Sequence, residues 1–541
     1  MKKLFALLAF LGLFLASCSE DDIIVDNTPP PAPVNYTSGT ADFSNYVAVG
    51  NSITAGYSDQ ALFIDGQTNS FPSMLAGNFA LAGGGAFTTP FMADNLGGAT
   101  LDGQAFLGNR LILSFASGDP SPVPVSGQGT TEIGNTLTGP FNNMGVPGAK
   151  SFHLAAPGYG NIAGVAIGAA NPYYARFASS GSATVIGDAL AQNPTFFTLW
   201  IGNNDVLGFA ASGGDGVDQT GNFDPTMYGG SDITDPNVFA GVYDGLLQGL
   251  TANGADGVVI NIPDVSALPY FTTVPHKPLD PTNPDFGPQI PLLNTIFGTL
   301  NQIFTAVQQP ERIVVFSESA ASAVVIRDEN LADLSGTIAG ALLSDLPAFN
   351  AFIAQFGLPP QAAPLVANLL GLTYGQSRPA TADDLIVLPS RTIIGTVNTD
   401  NFQFLVNQGL SAELAGQFSV EGVSLPLEDK WVLTPEEQTS ISVATTAYNQ
   451  TIAALATQYD LALVDVNTYQ SIIADVGAPL SDGSVVTDAY ATGGGFSLDG
   501  VHPAPRGSAL LANLIIQTIN AKYGSNLPGV DPLDYTGLYL Q

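Results

Sequence analysis

Three histidines occur in the 541-residue chain, and one of them, His502, follows a carboxylate, Asp499, by three positions in the run Ser497-Leu498-Asp499-Gly500-Val501-His502-Pro503. On a tight turn that spacing lets both side chains face one side, so the carboxylate can keep one imidazole nitrogen protonated while the other accepts a proton. Such a pair serves to activate a hydroxyl nucleophile. Ser52 is the candidate, in Gly50-Asn51-Ser52-Ile53-Thr54 directly behind the apolar run Tyr46 to Val49. A serine at the carboxyl end of a strand is presented in the crevice where open α/β sheets bind ligands. Two more segments carry groups suited to an oxyanion. The Asn204 amide follows an apolar run in Trp200-Ile201-Gly202-Asn203-Asn204-Asp205. In Asn143-Met144-Gly145-Val146-Pro147-Gly148 a glycine, Gly148 or Gly145, can bring its backbone N–H close to a substrate. His153 and His276 lack comparable company and read as loop or core residues.

In this order, the four segments resemble the conserved blocks of the SGNH/GDSL hydrolase family: Gly50-Asn51-Ser52, Gly148, Gly202-x-Asn204-Asp205 and Asp499-x-x-His502. The resemblance runs from about Tyr46 to Tyr523. It implies Ser52 as nucleophile, His502 as general base and then acid, and Asp499 as its orienting partner. The oxyanion donors it implies are the Ser52 and Gly148 N–H groups and the Asn204 side chain. Asn51 departs from the pattern, standing where the family name has Asp. The implied activity is hydrolysis of a carboxylic ester through an acyl-enzyme, with no cofactor, on lipid or acylated-carbohydrate substrates. Such a mechanism needs neutral His502, so activity is expected to fall as pH drops through the histidine range. The competing reading is a non-catalytic surface lipoprotein that binds glycans or lipids on a hydrolase scaffold.

Other chemistries find less support. No Gly-x-Ser-x-Gly elbow and no Walker-type loop occur, and the histidines are too scattered for a zinc site. Asp215, Asp218, Asp224, Asp232 and Asp235 lack EF-hand spacing, so no metal is assigned.

The elements that must position these residues are short, unbroken apolar runs: Tyr46 to Val49, Thr195 to Ile201, Val258 to Ile262, Ile313 to Phe316 and Leu461 to Val466. Strands read this way when both faces are covered, as in a parallel sheet with helices on either side. Thr434, Pro435 and Glu437 form a capping-box start for a helix to about Tyr459, with Ile441, Tyr448, Ile452 and Leu455 on one face. A last helix is expected from about Gly507 to Lys522. The expected fold is therefore α/β, and the resemblance makes it a three-layer α/β/α sandwich around a mainly parallel five-stranded sheet. The hydrolase domain is placed at 41–525, with insertions at about 58–141 and 266–433 and a C-terminal tail at 526–541. The second insertion carries an apolar helical stripe through Leu292, Leu293, Ile296, Phe297, Leu300, Ile303, Phe304 and Val307, and a further apolar stretch from Leu331 through Leu372. The stripe reads either as core or as a lid beside the site.

Thirteen Lys and Arg against 46 Asp and Glu give a net charge of −33, which repels phosphate backbones and excludes nucleic acid as a partner. It equally disfavours docking of the folded part on anionic lipid, so membrane association needs an anchor. Lys2 and Lys3 precede an apolar run from Leu4 to Leu15, which ends in Leu15-Ala16-Ser17-Cys18. This resembles a bacterial lipoprotein signal over residues 1–17, which makes Cys18, the only cysteine, the lipidated first residue of the mature chain. Residues 18–40 contain Pro29, Pro30, Pro31 and Pro33 and read as a flexible tether. The acidic Ser19-Glu20-Asp21-Asp22 resembles the tag of surface-displayed lipoproteins. The expected address is the outer membrane of a Gram-negative bacterium, with the protein exposed at the cell surface or held in the periplasm.

Overall fold

The structure, a computed structural model, describes residues 34–116 and 120–540. The apolar leader, Cys18 and most of the proline-rich segment lie outside the described residues. A compact unit begins at Thr37.

Its centre is a sheet of five strands: β1 (Tyr46–Gly50), β2 (Asn143–Gly145), β3 (Phe196–Trp200), β4 (Asp256–Ile260) and β5 (Ala462–Val464). The strands lie in the order β5-β4-β3-β1-β2, and every neighbouring pair is parallel. The chain leaves β1 for β2 on one side and then crosses to β3 on the other. That reversal opens a crevice at the carboxyl ends of the central strands. The register fixes what faces it, because Gly50 lies opposite both Gly145 and Trp200.

Alternate strand residues enter separate cores, as the two-residue period of a strand requires. Val47, Val49, Phe197, Leu199 and Val259 pack with two helices, Pro236–Thr251 and Pro435–Gln458. Tyr46, Ala48, Phe196, Trp200, Val258 and Ile260 pack on the opposite face with two others, Phe71–Ala80 and Pro505–Tyr523. With both faces covered the strands carry no polar face, which is why they read as unbroken apolar runs. The helix Pro435–Gln458 starts as expected, with the Thr434 N–H donating to Glu437 Oε2 at 2.6 Å.

Four sequence expectations change. Ile313 to Phe316 is extended but joins no sheet. Its backbone pairs instead with side chains of the helix Ile290–Ala306: Asn301 exchanges two hydrogen bonds with Val314 (2.7 and 3.0 Å) and Asn294 two with Phe316 (2.8 and 2.9 Å). Two amides seven residues apart thus do the work of a neighbouring strand. The fifth strand is Asn143–Gly145, too short and too polar to stand out. Second, the stretch 58–141 is not all insertion, because Phe71–Ala80 is one of the layer helices. Third, the tail at 526–540 packs on the fold: Asn513 binds Val530, Arg506 binds the Pro532 and Tyr535 carbonyls, and the Leu113 N–H donates to Tyr539 O. Finally, the tether ends before residue 40, since the Thr37 N–H donates to Asn526 Oδ1 and that of Thr40 to Tyr523 O.

The second insertion builds a core of its own. Leu293, Phe297, Leu300, Ile303 and Phe304 pack with Val324, Ile326, Ile338, Leu342, Phe349, Ile353, Leu370 and Tyr374. The apolar stripe is therefore spent on internal packing, and of its members only Leu292 is exposed.

Candidate active site

Ser52 opens a one-turn helix, Ser52–Ala55, immediately after β1. Asn51 caps it, its Oδ1 accepting the Ile53 N–H at 3.1 Å, and Gly56 ends it in the left-handed conformation. Asn51 is wholly buried, and its Nδ2 donates to Asn203 Oδ1 at 3.0 Å. Asn51 thus ties the Ser52 turn to the loop carrying Asn204.

The Ser52 Oγ lies 2.8 Å from His502 Nε2, across 450 residues of chain, and His502 Nδ1 lies 2.9 Å from Asp499 Oδ2. The other carboxylate oxygen, Oδ1, accepts the backbone N–H groups of Val501 (2.9 Å) and His502 (2.8 Å). Burial alone would raise the Asp499 pKa, but the His502 ring and the backbone N–H groups of His502 and Gln60 outweigh it and hold the carboxyl at about 2. The acid therefore stays ionised and its partner nitrogen stays a donor. The turn depends on Gly500, with φ of +72°, where a Cβ would come within 2.9 Å of the Tyr270 nitrogen.

The loops after β2 and β3, the two strands that flank β1, carry the remaining candidates. Gly148, with φ of +80°, is exposed, and its N–H makes no hydrogen bond among the described residues. The competing Gly145 is buried against the nucleophile helix, with its N–H donated to Asn143 Oδ1 at 3.0 Å. Asn204 is half-buried and donates one amide hydrogen to Ala149 O at 2.9 Å, which leaves its second N–H for a ligand. Asp205 is fully buried and accepts the Ser151 N–H (2.8 Å) and Oγ–H (2.6 Å), locking the asparagine loop to the glycine loop. Burial pushes the Asp205 pKa up while the Ser151 bonds oppose it.

The structure also adds residues that no sequence signal marked. The loop Ser58-Asp59-Gln60 clasps the turn that carries Asp499 and His502. The Gln60 N–H donates to Asp499 Oδ2 (3.0 Å), the Asp59 N–H to Ser497 Oγ (3.0 Å), and the Leu498 N–H to Asp59 Oδ1 (2.8 Å). Asp59 is 2 % exposed and its Oδ2 has no partner. Burial, reinforced by the nearby Asp499 charge, pushes its carboxyl up to about 7. The Tyr57 ring lies 4.8 Å from the His502 ring. These residues sit in a stretch that reads only as turns, so their role comes from the fold alone.

No protein-family model, no curated protein and no solved structure matches this chain. The site must therefore be read from its own chemistry.

Of the remaining candidates, His153 accepts the Lys150 N–H at 3.0 Å and stacks on Tyr159, and burial holds its pKa down at about 4. Four of the five aspartates of the acidic loop satisfy backbone: Asp218 takes the Thr220 N–H, Asp224 that of Thr226, and Asp235 those of Gly221, Asn237 and Val238. Asp232 takes those of Val217 and Gly229. Cys18 lies outside the described residues. An apolar cavity lined by Ile53, Leu268, Val466, Ile473, Phe496 and Leu511 runs beside the triad, but Ser52 and His502 are not among its walls.

Proposed function

We propose that the chain is a serine-dependent carboxylic-ester hydrolase with an SGNH-type sandwich fold. The observation that carries this reading is the unbroken hydrogen-bonded series from Ser52 Oγ through His502 to Asp499, set at the switch point of a parallel sheet. His502 Nε2 takes the Ser52 proton as Oγ attacks the ester carbonyl. The carbonyl oxygen becomes an oxyanion, and the Ser52 and Gly148 N–H groups with the free Asn204 amide hydrogen are the donors assigned to it. Collapse expels the alcohol, which leaves with the proton held by His502. Water activated by the same nitrogen then frees the acid. Asp499 accepts the hydrogen bond from Nδ1 throughout and is not itself protonated. No step asks for a metal or a cofactor.

The site reads as a hydrolase without committing to one ester. The burial of the stripe on Ile290–Ala306 takes away the apolar surface that a lid from that helix would offer. We read residues 1–17 as a lipoprotein signal and Cys18 as the anchor, which puts the enzyme at a bacterial outer membrane facing lipid or acylated-glycan esters. A fluorophosphonate probe tests the reading. Labelling of wild type and not of Ser52→Ala is expected, and a wild type that takes no label would leave a binding protein on a hydrolase scaffold. A series of p-nitrophenyl esters from acetate to octanoate then reports the acyl length accepted.

A further inference from the structure

Away from the triad, Glu329 meets two carboxylates about a hundred residues further along the chain. One oxygen each of Glu329, Asp429 and Glu437 lies within 4.8 Å of the other two. Glu329 follows the strand Val325–Arg327, Asp429 begins the turn Asp429–Trp431, and Glu437 stands in the first turn of the helix Pro435–Gln458.

An acidic cluster at a surface needs no explanation, but this one is closed on two sides. Glu437 is 7 % exposed, and while its Oε2 accepts the Thr434 N–H, its Oε1 is buried without a hydrogen-bond partner. Asp429 Oδ1 is likewise buried and unpartnered. Gly213 and Gly214 close over the cluster: a Cβ on Gly214 would lie 2.4 Å from Glu437 Oε1, and one on Gly213 would lie 2.2 Å from Asp429 O. Two basic side chains of this region are already paired with other carboxylates. Arg378 bridges Asp328 and Asp384 at 2.6 Å each, and Lys430 pairs with Glu428.

Unpartnered buried acceptors this close to one another are costly, and a carboxylate oxygen in such a place is normally met by a donor or a cation. We propose that Glu329, Asp429 and Glu437 bind a divalent cation of the calcium class. The ligand set is oxygen only, which selects a hard cation over zinc or copper. Ca²⁺–O distances of about 2.3–2.6 Å place opposed ligands about 4.6–5.2 Å apart, so the observed span accommodates all three oxygens around one ion. The ion would fasten loops of the second core to the helix Pro435–Gln458, which packs against the sheet, and to the glycine pair that follows the helix Asn204–Ala211. The role is structural and does not depend on the esterase reading.

The test titrates the EDTA-treated full chain with CaCl₂ by calorimetry and by thermal melting. One Ca²⁺ per chain is expected, with a rise in Tm of about 2 °C or more once calcium is well above its Kd. Glu329→Gln, at an exposed position, should weaken binding at least tenfold while leaving the Tm without calcium close to that of wild type. Glu437→Gln should abolish it while keeping an acceptor for the Thr434 N–H. Absence of heat and of any Tm shift up to 10 mM calcium would overturn the proposal, and so would binding that both substitutions leave unchanged.

Discussion

Asp499→Asn changes one atom at the centre of the proposed mechanism, and the hydrogen bonds around that carboxylate dictate the consequence. Each carboxylate oxygen accepts two N–H groups: Oδ1 those of Val501 and His502, Oδ2 that of Gln60 and the His502 ring. An asparagine can satisfy only one side. Keeping its oxygen toward the two backbone donors leaves its NH₂ facing the Gln60 N–H and His502 Nδ1. The Gln60 donor then loses its acceptor, at about 1–3 kcal/mol. His502 must accept at Nδ1, so its proton moves to Nε2 and points at Ser52 Oγ, which removes the base. The same exchange in a Ser-His-Asp enzyme lowers kcat about 10⁴-fold, equivalent to about 5.4 kcal/mol of barrier. Asp499 also carries a stability contribution. Its folded pKa of about 2 lies below the ordinary 3.8, so ionisation favours the folded state by about 2 kcal/mol above pH 4, and this is lost as pH falls from about 4 to 2. The assay is kcat on p-nitrophenyl acetate, with urea unfolding at pH 7 and pH 3 beside Ser52→Ala as a control for fold. A folded Asp499→Asn enzyme that keeps kcat within tenfold of wild type would refute the assignment of Asp499 to the triad.

Three further outcomes are expected. Asn51→Asp should leave kcat within a few-fold, because the Asn203 amide can rotate to donate to the new carboxylate, whereas Asn51→Ala loses the cap and should cost about 1–2 kcal/mol in urea unfolding. Equal effects of the two would argue against this account. Asn204→Ala should lower kcat by about 10²–10³ with little change in KM, as for loss of an oxyanion donor; a change in KM alone would place Asn204 in ground-state binding. Asp59 has its folded pKa raised to about 7, so wild-type stability falls as pH rises from about 4 to 7. Asp59→Asn keeps an acceptor for the Leu498 N–H and should remove that fall, gaining on the order of 3–4 kcal/mol on wild type between pH 4 and pH 8. A pH-independent difference in urea unfolding would show that the carboxyl does not titrate there.

The strands and caps that carry Ser52 and Asn204 were legible because the signals are local. A strand covered on both faces must be apolar throughout, and Thr434, Pro435 and Glu437 announce a helix start whatever lies around them. Ile313 to Phe316 misled for the same reason. Its unbroken apolar run reads as a strand, but Asn294 and Asn301 reach its backbone first. Nothing in the composition of Asn143–Gly145 marks a sheet strand, because only its place beside β1 makes it one.

By itself the sequence determined which groups are chemically able to act, since a histidine three residues from an aspartate and a serine behind an apolar run are properties of short segments. Only the tertiary structure decided that Ser52 and His502 meet at 2.8 Å, and that Asp59 and Gln60 hold the turn from Ser497 to His502. These depend on strand order and on contacts between loops hundreds of residues apart. Such contacts arise from burying two faces of one sheet, and no local preference of the chain encodes them.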